Sequence, residues 1–520
     1  MRSGRLAGAV VALGLATLVS ALFPVPRATA TTPGTAHALV RTESGSISGK
    51  SAQEFLGIPY AAPPVGALRW RAPQPHAAWA GVRPAASFGD SCVQGAGWDP
   101  GYETPKLTED CLYLNVYRPD PAPRGLPVMV WIHGGGFTGG AGRDVVPTEF
   151  TRKGGVIAVT VNYRLGAMGF LAHPALGADA GDYGLMDQQA ALRWVQRNIA
   201  RFGGDPARVT IAGESAGGQS VCDQMASPAA RGLFRGAIIE SGSYGDCAGT
   251  TRSDADQTGT AFAQALGCTD TACLRGKPAE EILTAQGRFS WDPVTGGSVL
   301  PIRPPDAFTS GRYNRVPVIN GANHDEGRLF VFGAYDASGH PLTAGQYPVA
   351  LRNAYGDAAD QVLARYPLSD YPSPGLALSA VQTDQFMSCP VLEINALVRR
   401  HSPTYTYEFA DETSPPFESL RNLHTDFPFG ATHVNELQYL FLHFGHPSPL
   451  NRPQRELSNQ MIKYWTTFVR TGRPVVPGLP PMPRYDDATK RVLSLKTHGN
   501  AISSDFDAFH KCAFWRGISG

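Results

Sequence analysis

The chain has 520 residues, which is enough for roughly two or three ordinary domains or for one large α/β enzyme. Hydrophobic residues make up 42% of the chain and can form a large core, while the formal net charge is only +1. Because the charges nearly cancel and no basic stripe is present in the sequence, we do not expect nucleic acid as a partner.

The first thirty residues have the pattern of a secretory signal peptide. Basic residues precede the apolar run 6–23, and Ala28-Thr29-Ala30 is a small-x-small cleavage site. A retained membrane anchor is the alternative, but the run is marginal in length and the cleavage pattern follows it. We therefore expect residues 1–30 to be removed and a soluble mature chain, 31–520, to be secreted without stable membrane insertion.

The predicted elements describe a parallel α/β sheet. Apolar runs without alternation predict strands that are covered on both faces. These strands are 126–137, 155–165, 208–212, 235–239, 315–320 and 404–409. Residues 185–202 place apolar side chains at helical spacing and predict a helix between the second and third strands, as in a right-handed crossover. The fold class is therefore α/β, with a mostly parallel central sheet, helices on both faces and long loop insertions.

Ser215 stands between glycines directly after the predicted strand 208–212, in the stretch RVTIAGESAGGQS. The pattern G-x-S-x-G is typical of a nucleophile elbow, a tight turn that exposes a serine hydroxyl. In a chain with 58 glycines the bare pattern also occurs by chance. Its place at the carboxyl end of a predicted strand, where open α/β sheets put their sites, favours a catalytic serine.

A catalytic serine needs a base, and the base needs an acid that orients it. In this type of fold the chain order is serine, acid, histidine. Asp325 and Glu326 follow the fifth predicted strand, and His433 lies on a loop further along the chain. Order and spacing alone do not choose Glu326 over Asp325, nor His433 over His424 or His443.

Several separated segments resemble the type-B carboxylesterase family, which also contains cholinesterases and several secreted lipases. Two of them resemble its signature sequences, FGGDPARVTIAGESAGG at 202–218 and EDCLYLNVYRP at 109–119. The others, in the family's order, are FLGIPYAAPPVGALRW, VWIHGGGF, VNYRLGAMGF, ANHDEG and ATHVNEL. The resemblance covers nearly the whole mature chain and implies one α/β-hydrolase domain over 31–520. The excess of arginine over lysine is typical of a GC-rich bacterial gene.

The resemblance implies a role for each candidate in the triad. Ser215 corresponds to the nucleophile, Glu326 of DEG to the acid and His433 of ATHVNEL to the base. The residue His133, next to the glycines, is expected to be structural. The substrate implied is a small-molecule carboxylic ester, with no metal or organic cofactor.

Backbone N–H groups of Gly135, Gly136 and Ala216 correspond to the family's oxyanion donors. Such groups can converge on a developing oxyanion, and the dipole of a helix that begins at Ala216 favours negative charge there. Glu214, beside the nucleophile, is expected to favour the imidazolium that forms during acyl transfer. Ser241 resembles a serine that donates a hydrogen bond near the triad.

The eight cysteines have no zinc-type spacing and are expected to form disulfides in an oxidising compartment. The resemblance implies the pairs Cys92–Cys111, Cys268–Cys273 and Cys389–Cys512. Cys222 and Cys247 remain and are paired by parity. The resemblance also implies two structural ion pairs, Arg69–Glu109 and Arg164–Asp187.

Trp98 lies between Cys92 and Cys111, in a loop that in cholinesterases carries a tryptophan on the alcohol side of the pocket. The distance to the second cysteine is longer here, and a tryptophan packed under its own loop is the alternative. The same segment is mixed and fairly polar, which argues against a long apolar lid.

We therefore predict a secreted serine ester hydrolase that forms an acyl-enzyme intermediate. One alternative is a lipase or sterol-ester hydrolase on the same fold. A second alternative, from another class, is a catalytically inactive, cholinesterase-like adhesion or binding protein. Such proteins usually lose a triad residue, whereas Ser215, Glu326 and His433 are all present. The sequence leaves the natural ester and the oligomeric state open.

Overall fold

The computed structural model describes residues 38–95, 106–421, 423 and 425–518. The predicted signal peptide and Trp98 lie outside these described residues. The described residues belong to one structural unit, His37–Gly520. Among them, no helix has both the length and the apolar character that crossing a membrane requires.

A ten-stranded sheet organises the structure. Its strands, in the order in which they lie side by side, are Ala501–Ser503, Val492–Leu495, Thr404–Phe409, Val318–Asn323, Gly236–Glu240, Gly204–Glu214, Leu126–Ile132, Ile157–Val161, Tyr113–Tyr117 and Glu54–Pro59. The seven central strands, from 492–495 to 157–161, pair in parallel. The pairs at both edges are antiparallel. This is the mostly parallel sheet that the sequence predicts.

Smaller sheets and the helices surround this centre. Leu39–Arg41, Ser46–Gly49 and Val82–Ala85 form a three-stranded sheet, and two-stranded sheets join Thr250–Thr251 to Val294–Thr295 and Val145–Val146 to Leu442–His443. The described helices of seven residues or more are Thr148–Gly154, Tyr183–Asn198, Ala216–Ala226, Arg252–Ala265, Ala279–Gln286, Pro304–Ser310, Gly327–Ala334, Gln346–Tyr355, Ala359–Arg365, Pro374–Gln382, Cys389–Val398, Arg452–Thr471 and Cys512–Ile518. The helix predicted at 185–202 is thus α-helical to Asn198 and ends in a 3₁₀ turn, Ile199–Phe202.

The strand Leu126–Ile132 shows how the sheet separates two cores. Because side chains alternate along a strand, Val128 and Val130 face one core together with Trp194 of the crossover helix. Met129 and Trp131 face the other. This strand therefore needs apolar residues at every position, which explains the unbroken apolar run in the sequence.

The second core is covered by the longest described helix, Arg452–Thr471. Asn451 and Gln454 form a reciprocal capping box at its start, and Gly472, with φ 72°, ends it. Trp465 of this helix is fully buried and donates its Nε1–H to Glu240 at 2.8 Å. The helix is thereby fixed to the end of a central strand, directly behind the serine turn.

Disulfides and ion pairs join the loops around the sheet. The structure pairs Cys92 with Cys111, Cys222 with Cys247, Cys268 with Cys273 and Cys389 with Cys512, the same four pairs that the sequence predicts. Arg69 Nε donates to Glu109 Oε2 at 2.7 Å, and Arg164 Nε donates to Asp187 Oδ2 at 2.7 Å. Both predicted ion pairs are therefore present.

Candidate active site

Ser215 occupies a sharp turn between the strand Gly204–Glu214 and the helix Ala216–Ala226. Its backbone has φ 55° and ψ −125°, a region that residues with a Cβ rarely adopt. The turn is held because Ser215 N–H donates to Glu240 O at 2.9 Å and Gln219 N–H donates to Ser215 O at 2.8 Å. Ser215 is half-buried, as a nucleophile elbow requires.

The glycines around Ser215 are required by close packing. A Cβ on Gly213 would collide with Gly217 O, and a Cβ on Gly217 would collide with Ile132 O. A Cβ on Gly218 would lie 2.8 Å from Glu240 O. The turn is therefore pressed against the two neighbouring strands, and only glycine leaves room for it there.

Glu326 and His433 form a buried acid–histidine pair. Glu326 lies just past the end of the strand Val318–Asn323, and its Oε2 is 2.6 Å from His433 Nδ1. Its other oxygen accepts hydrogen bonds from Ser241 Oγ at 2.5 Å and from Asn323 N–H at 2.7 Å. Because an ionised carboxylate only accepts, Nδ1 carries the proton and Nε2 is left to act as a base.

The structure also places the alternatives that the sequence left open. Asp325 has other partners than His433: its carboxylate is 2.7 Å from Arg328 and accepts the Ala431 N–H at 2.9 Å. His443 lines the same cavity as Glu214, with its ring against Phe417 at a centroid distance of 4.7 Å. His424 lies outside the described residues.

His433 Nε2 lies beside the residue that precedes the nucleophile. The distance from Nε2 to Glu214 Oε1 is 3.2 Å, but the two atoms are not aligned for a hydrogen bond. Within the described part of the chain, no hydrogen bond joins Ser215 Oγ to His433. Bonds of this kind are often long in ligand-free enzymes and tighten when substrate is bound.

The buried acids around His433 control its proton. Burial lowers the pKa of His433, but the charges of Glu214 and Glu326 and the hydrogen bond to Glu326 outweigh burial and raise this pKa to about 9. Burial raises the pKa of Glu214 well above 4.5, and the His433 charge opposes that rise. The Glu214 carboxylate and the imidazolium therefore stabilise each other.

Two of the three candidate oxyanion donors lie on the loop that follows the strand Leu126–Ile132. The predicted strand runs into glycines, and in the structure it ends at Ile132, before Gly135 and Gly136 with φ 99° and 59°. Both glycines are exposed, and a Cβ on the preceding Gly134 would lie only 3.0 Å from Ser215 Cβ. Ala216 is the first residue of the helix after the elbow, so its N–H has no partner within that helix.

His133 has the surroundings of a structural residue. Its ring stacks on Tyr163 at a centroid distance of 4.4 Å, and Tyr163 OH donates to the His133 carbonyl at 2.8 Å. Burial lowers the pKa of His133 to about 4, so the ring is neutral at physiological pH.

A cavity of about 710 Å³ opens beside Glu214 and Gly135. Its wall is rich in aromatic side chains, namely Trp131, Phe289, Trp291, Phe417 and Phe444. Its acidic lining residues are Asp144 and Glu214, and the described lining contains no lysine or arginine. The sequence did not identify this wall because its residues come from distant segments. The predicted pocket residue Trp98 lies outside the described residues.

Asn323 and Glu436 are two further site residues that sequence reasoning missed. The Asn323 side chain donates to Thr432 O at 2.8 Å and to Glu436, so it joins the loop of Glu326 to the loop of His433. Burial and the charge of Glu326 raise the pKa of Glu436 to about 7. The predicted strand 315–320 stopped short of Asn323, which the structure places at the end of the strand Val318–Asn323.

Comparisons with known proteins show which family the chain belongs to. A model of the carboxylesterase family matches residues 36–515. Cocaine esterase of Homo sapiens is 35% identical over 89% of this chain and 87% of its own length, and fumonisin B1 esterase of Sphingopyxis macrogoltabida is 35% identical over 90% and 87%. The solved structure of a thermophilic PNB esterase has a TM-score of 0.79 at 32% identity and covers 92% of this chain and 100% of its own.

The described fold is therefore an α/β-hydrolase fold, the fold of the PNB esterases. The chain belongs to the carboxylesterase family, and its esterase relatives make it an enzyme of the carboxylesterase class. The alternative of an inactive adhesion or binding protein is excluded by this enzyme class.

Proposed function

We propose that this enzyme hydrolyses small carboxylic esters through Ser215, Glu326 and His433, by way of an acyl-enzyme intermediate. The observation that carries the proposal is the Glu326 carboxylate, which is 2.6 Å from His433 Nδ1 and orients the ring so that Nε2 is the nitrogen left to exchange a proton with the nucleophile. Ser215, on its strained turn, directly follows Glu214, whose Oε1 lies 3.2 Å from His433 Nε2.

In the first half of the reaction, Ser215 Oγ attacks the ester carbonyl carbon while His433 Nε2 takes the hydroxyl proton. The carbonyl oxygen becomes negative and accepts hydrogen bonds from the N–H groups of Gly135, Gly136 and Ala216. The C–O bond to the alcohol then breaks, and the alcohol leaves with the proton from His433. The acyl group stays on Ser215.

In the second half, water gives a proton to His433 and attacks the acyl carbon. The bond to Ser215 Oγ breaks, the serine regains its proton from His433, and the free acid leaves. The imidazolium forms in both halves, and the charges of Glu214 and Glu326 support it. Both charges stabilise the imidazolium, which forms in the transition state and not in the ground state. An acid beside the base therefore increases the rate.

The cavity favours neutral esters with an aromatic or bulky group. Its wall offers aromatic faces, its charged lining groups are acidic, and a carboxylate-bearing substrate would meet no described lysine or arginine there. We expect kcat/KM for a benzyl or p-nitrophenyl ester to exceed that for a matched ester with a free carboxylate by at least about tenfold, or about 1.4 kcal/mol. A preference for the anionic ester would contradict this assignment, and a preference for long acyl chains would favour the lipase alternative.

A labelling experiment tests the nucleophile directly. An organophosphonate ester should inactivate the enzyme and add one phosphonyl group, located on Ser215 by peptide mass spectrometry. Ser215→Ala should abolish both labelling and turnover, whereas Ser369→Ala, which removes an exposed serine, should change neither. Full turnover by Ser215→Ala would show that another residue is the nucleophile.

We also propose that the enzyme is secreted. The signal-peptide pattern supports this, and the four disulfides are compatible with an oxidising compartment. N-terminal sequencing of protein from the medium of expressing cells should begin at Thr31. Recovery of the full-length chain in the cytoplasm alone would refute the proposal.

A further inference from the structure

A second cluster of buried side chains brings together residue types that bind metals. His324 Nδ1 lies 2.8 Å from Glu408 Oε1, and His510 Nε2 lies 3.0 Å from the same oxygen. The three ligand atoms all lie within 4.8 Å of one another. Sequence separations of 84 and 102 residues explain why no spacing motif predicts the cluster.

A fourth residue holds His510 in the orientation of a metal ligand. Asp384 Oδ1 is 2.7 Å from His510 Nδ1, and Asp384 Oδ2 accepts a hydrogen bond from Tyr366 OH at 2.7 Å. Because the carboxylate only accepts, Nδ1 carries a proton and Nε2 points at Glu408. A histidine whose second nitrogen donates to a carboxylate is the usual arrangement at protein metal sites.

The two imidazole nitrogens and the Glu408 oxygen require a positive centre between them. A nitrogen lone pair and a carboxylate oxygen 3.0 Å apart repel each other unless a proton or a cation lies between them. Two histidines converge on this one oxygen, so a single divalent cation can serve both nitrogens at once. A cation about 2.1 Å from both ligand atoms of a His–Glu pair spans the 2.8 and 3.0 Å spacings at an angle of about 90°, so the ligands would have to open slightly to give the tetrahedral angles of zinc.

We propose that His324, Glu408 and His510 form a binding site for a divalent transition metal of the zinc type, with Asp384 orienting His510. Two imidazoles and one carboxylate suit Zn²⁺, Ni²⁺ or Cu²⁺, whereas Ca²⁺ and Mg²⁺ prefer all-oxygen sites. The side chains of Glu408 and His510 are 9% and 0% exposed. That of His324 is 19% exposed and leaves a way in for the metal and a water ligand.

The site connects three parts of the fold. His324 follows the strand Val318–Asn323 and stands two residues before Glu326, while Glu408 lies on the neighbouring strand Thr404–Phe409. His510 belongs to the C-terminal segment, two residues before the disulfide-bonded Cys512. A bound metal would therefore be structural, because it would join the C-terminal segment to the loop that carries the candidate acid.

Metal titration of the full mature chain, made without a histidine tag and treated with a chelator, tests the site. Zn²⁺ should bind with about one equivalent by calorimetry and raise the melting temperature, and Co²⁺ should give visible absorption bands of nitrogen coordination. His324→Ala is the main variant, since this ring is partly exposed and its loss should leave the fold intact. His340→Ala, which removes an exposed histidine elsewhere, is the matched control.

We expect the control to bind Zn²⁺ like the wild type, His324→Ala to bind at least tenfold more weakly, and Asp384→Asn to lose about 10- to 100-fold. Circular dichroism confirms that each variant is folded. The proposal is overturned if Zn²⁺ neither binds nor changes the melting temperature, which would mean that protons alone occupy the cluster. It is also overturned if His324→Ala binds as tightly as the control, because the metal would then be elsewhere, for example at His433.

Discussion

His433 and His510 are both buried and both have Nδ1 held by a carboxylate, at 2.6 Å and 2.7 Å, but their second nitrogens differ. Nε2 of His510 faces Glu408 in hydrogen-bonding geometry. Nε2 of His433 lies 3.2 Å from Glu214 without alignment, beside a residue that lines a large cavity. Both histidines thus have a carboxylate at Nδ1, and the surroundings of Nε2 distinguish the proposed catalytic base from the proposed metal ligand.

The largest expected effect separates the two histidines by activity. His433→Ala should lower kcat by about 10⁴-fold or more, because Ser215 would lose its proposed base. Glu326→Gln should cost about 10⁴-fold as well, since it removes the charge that fixes the ring. Steady-state kinetics on a p-nitrophenyl ester measures both. A loss below tenfold in either variant would assign the base or the acid elsewhere.

The second effect separates them by stability. His510→Ala leaves the buried Asp384 and Glu408 carboxylates without their shared partner, which should cost about 3–5 kcal/mol of unfolding free energy. Its kcat per folded molecule should fall far less than that of His433→Ala. Denaturant unfolding measures the stability, with His340→Ala as the control. If His510→Ala has the same unfolding free energy as His340→Ala, the His510 contacts contribute nothing to the stability of the fold.

A smaller effect concerns the link between the two loops of the candidate triad. Asn323→Ala removes both side-chain hydrogen bonds to the His433 loop, and kcat should fall by up to about 10²-fold with little change in KM. Asn320→Ala is the matched control, because Asn320 is buried on the same strand but bonds to Ser243 and Asn395. If both variants lose stability and kcat alike, Asn323 has no positioning role.

The smallest effect is a change in the pH profile. The base must be neutral, so a raised His433 pKa means that kcat/KM climbs with pH through an apparent pKa above 6.5 and towards 9. Glu214→Gln removes one charge that favours the imidazolium, so the profile should move to lower pH by about one unit. Glu280→Gln, at an exposed acid, should leave the profile in place. A profile that does not move in Glu214→Gln would show that Glu214 does not act on His433.

Local patterns were enough to predict the centre of the fold and the elbow. All six predicted strands are present, because a strand covered on both faces must be apolar throughout. The glycines around Ser215 are explained by the collisions that a Cβ would make at these positions. The strands Glu54–Pro59 and Tyr113–Tyr117, at one side of the sheet, were not predicted, and neither were Val492–Leu495 and Ala501–Ser503 at the other. The first two pair antiparallel, and the burial of Glu54–Pro59 is interrupted, so neither stands out as a continuous apolar run.

Contacts between distant segments could not be predicted from local patterns. Order along the chain allowed either Asp325 or Glu326 as the acid, and only packing turns Asp325 towards Arg328 and Glu326 towards His433. The cluster of His324, Glu408 and His510 could not be predicted for the same reason, since its members meet only when three separate elements pack together. Side-chain direction at the end of a strand is set by the completed fold.

The glycine packing at the elbow has a consequence for natural variation and for laboratory evolution. Replacement of Gly213, Gly217 or Gly218 would push the backbone into neighbouring strands, so random libraries should return almost no functional clones changed there. The aromatic wall of the cavity, which includes Phe289 and Phe417, consists of side chains around an open volume of about 710 Å³. Substitutions in this wall are therefore the ones that can change the range of substrates, while the glycines of the serine turn stay the same.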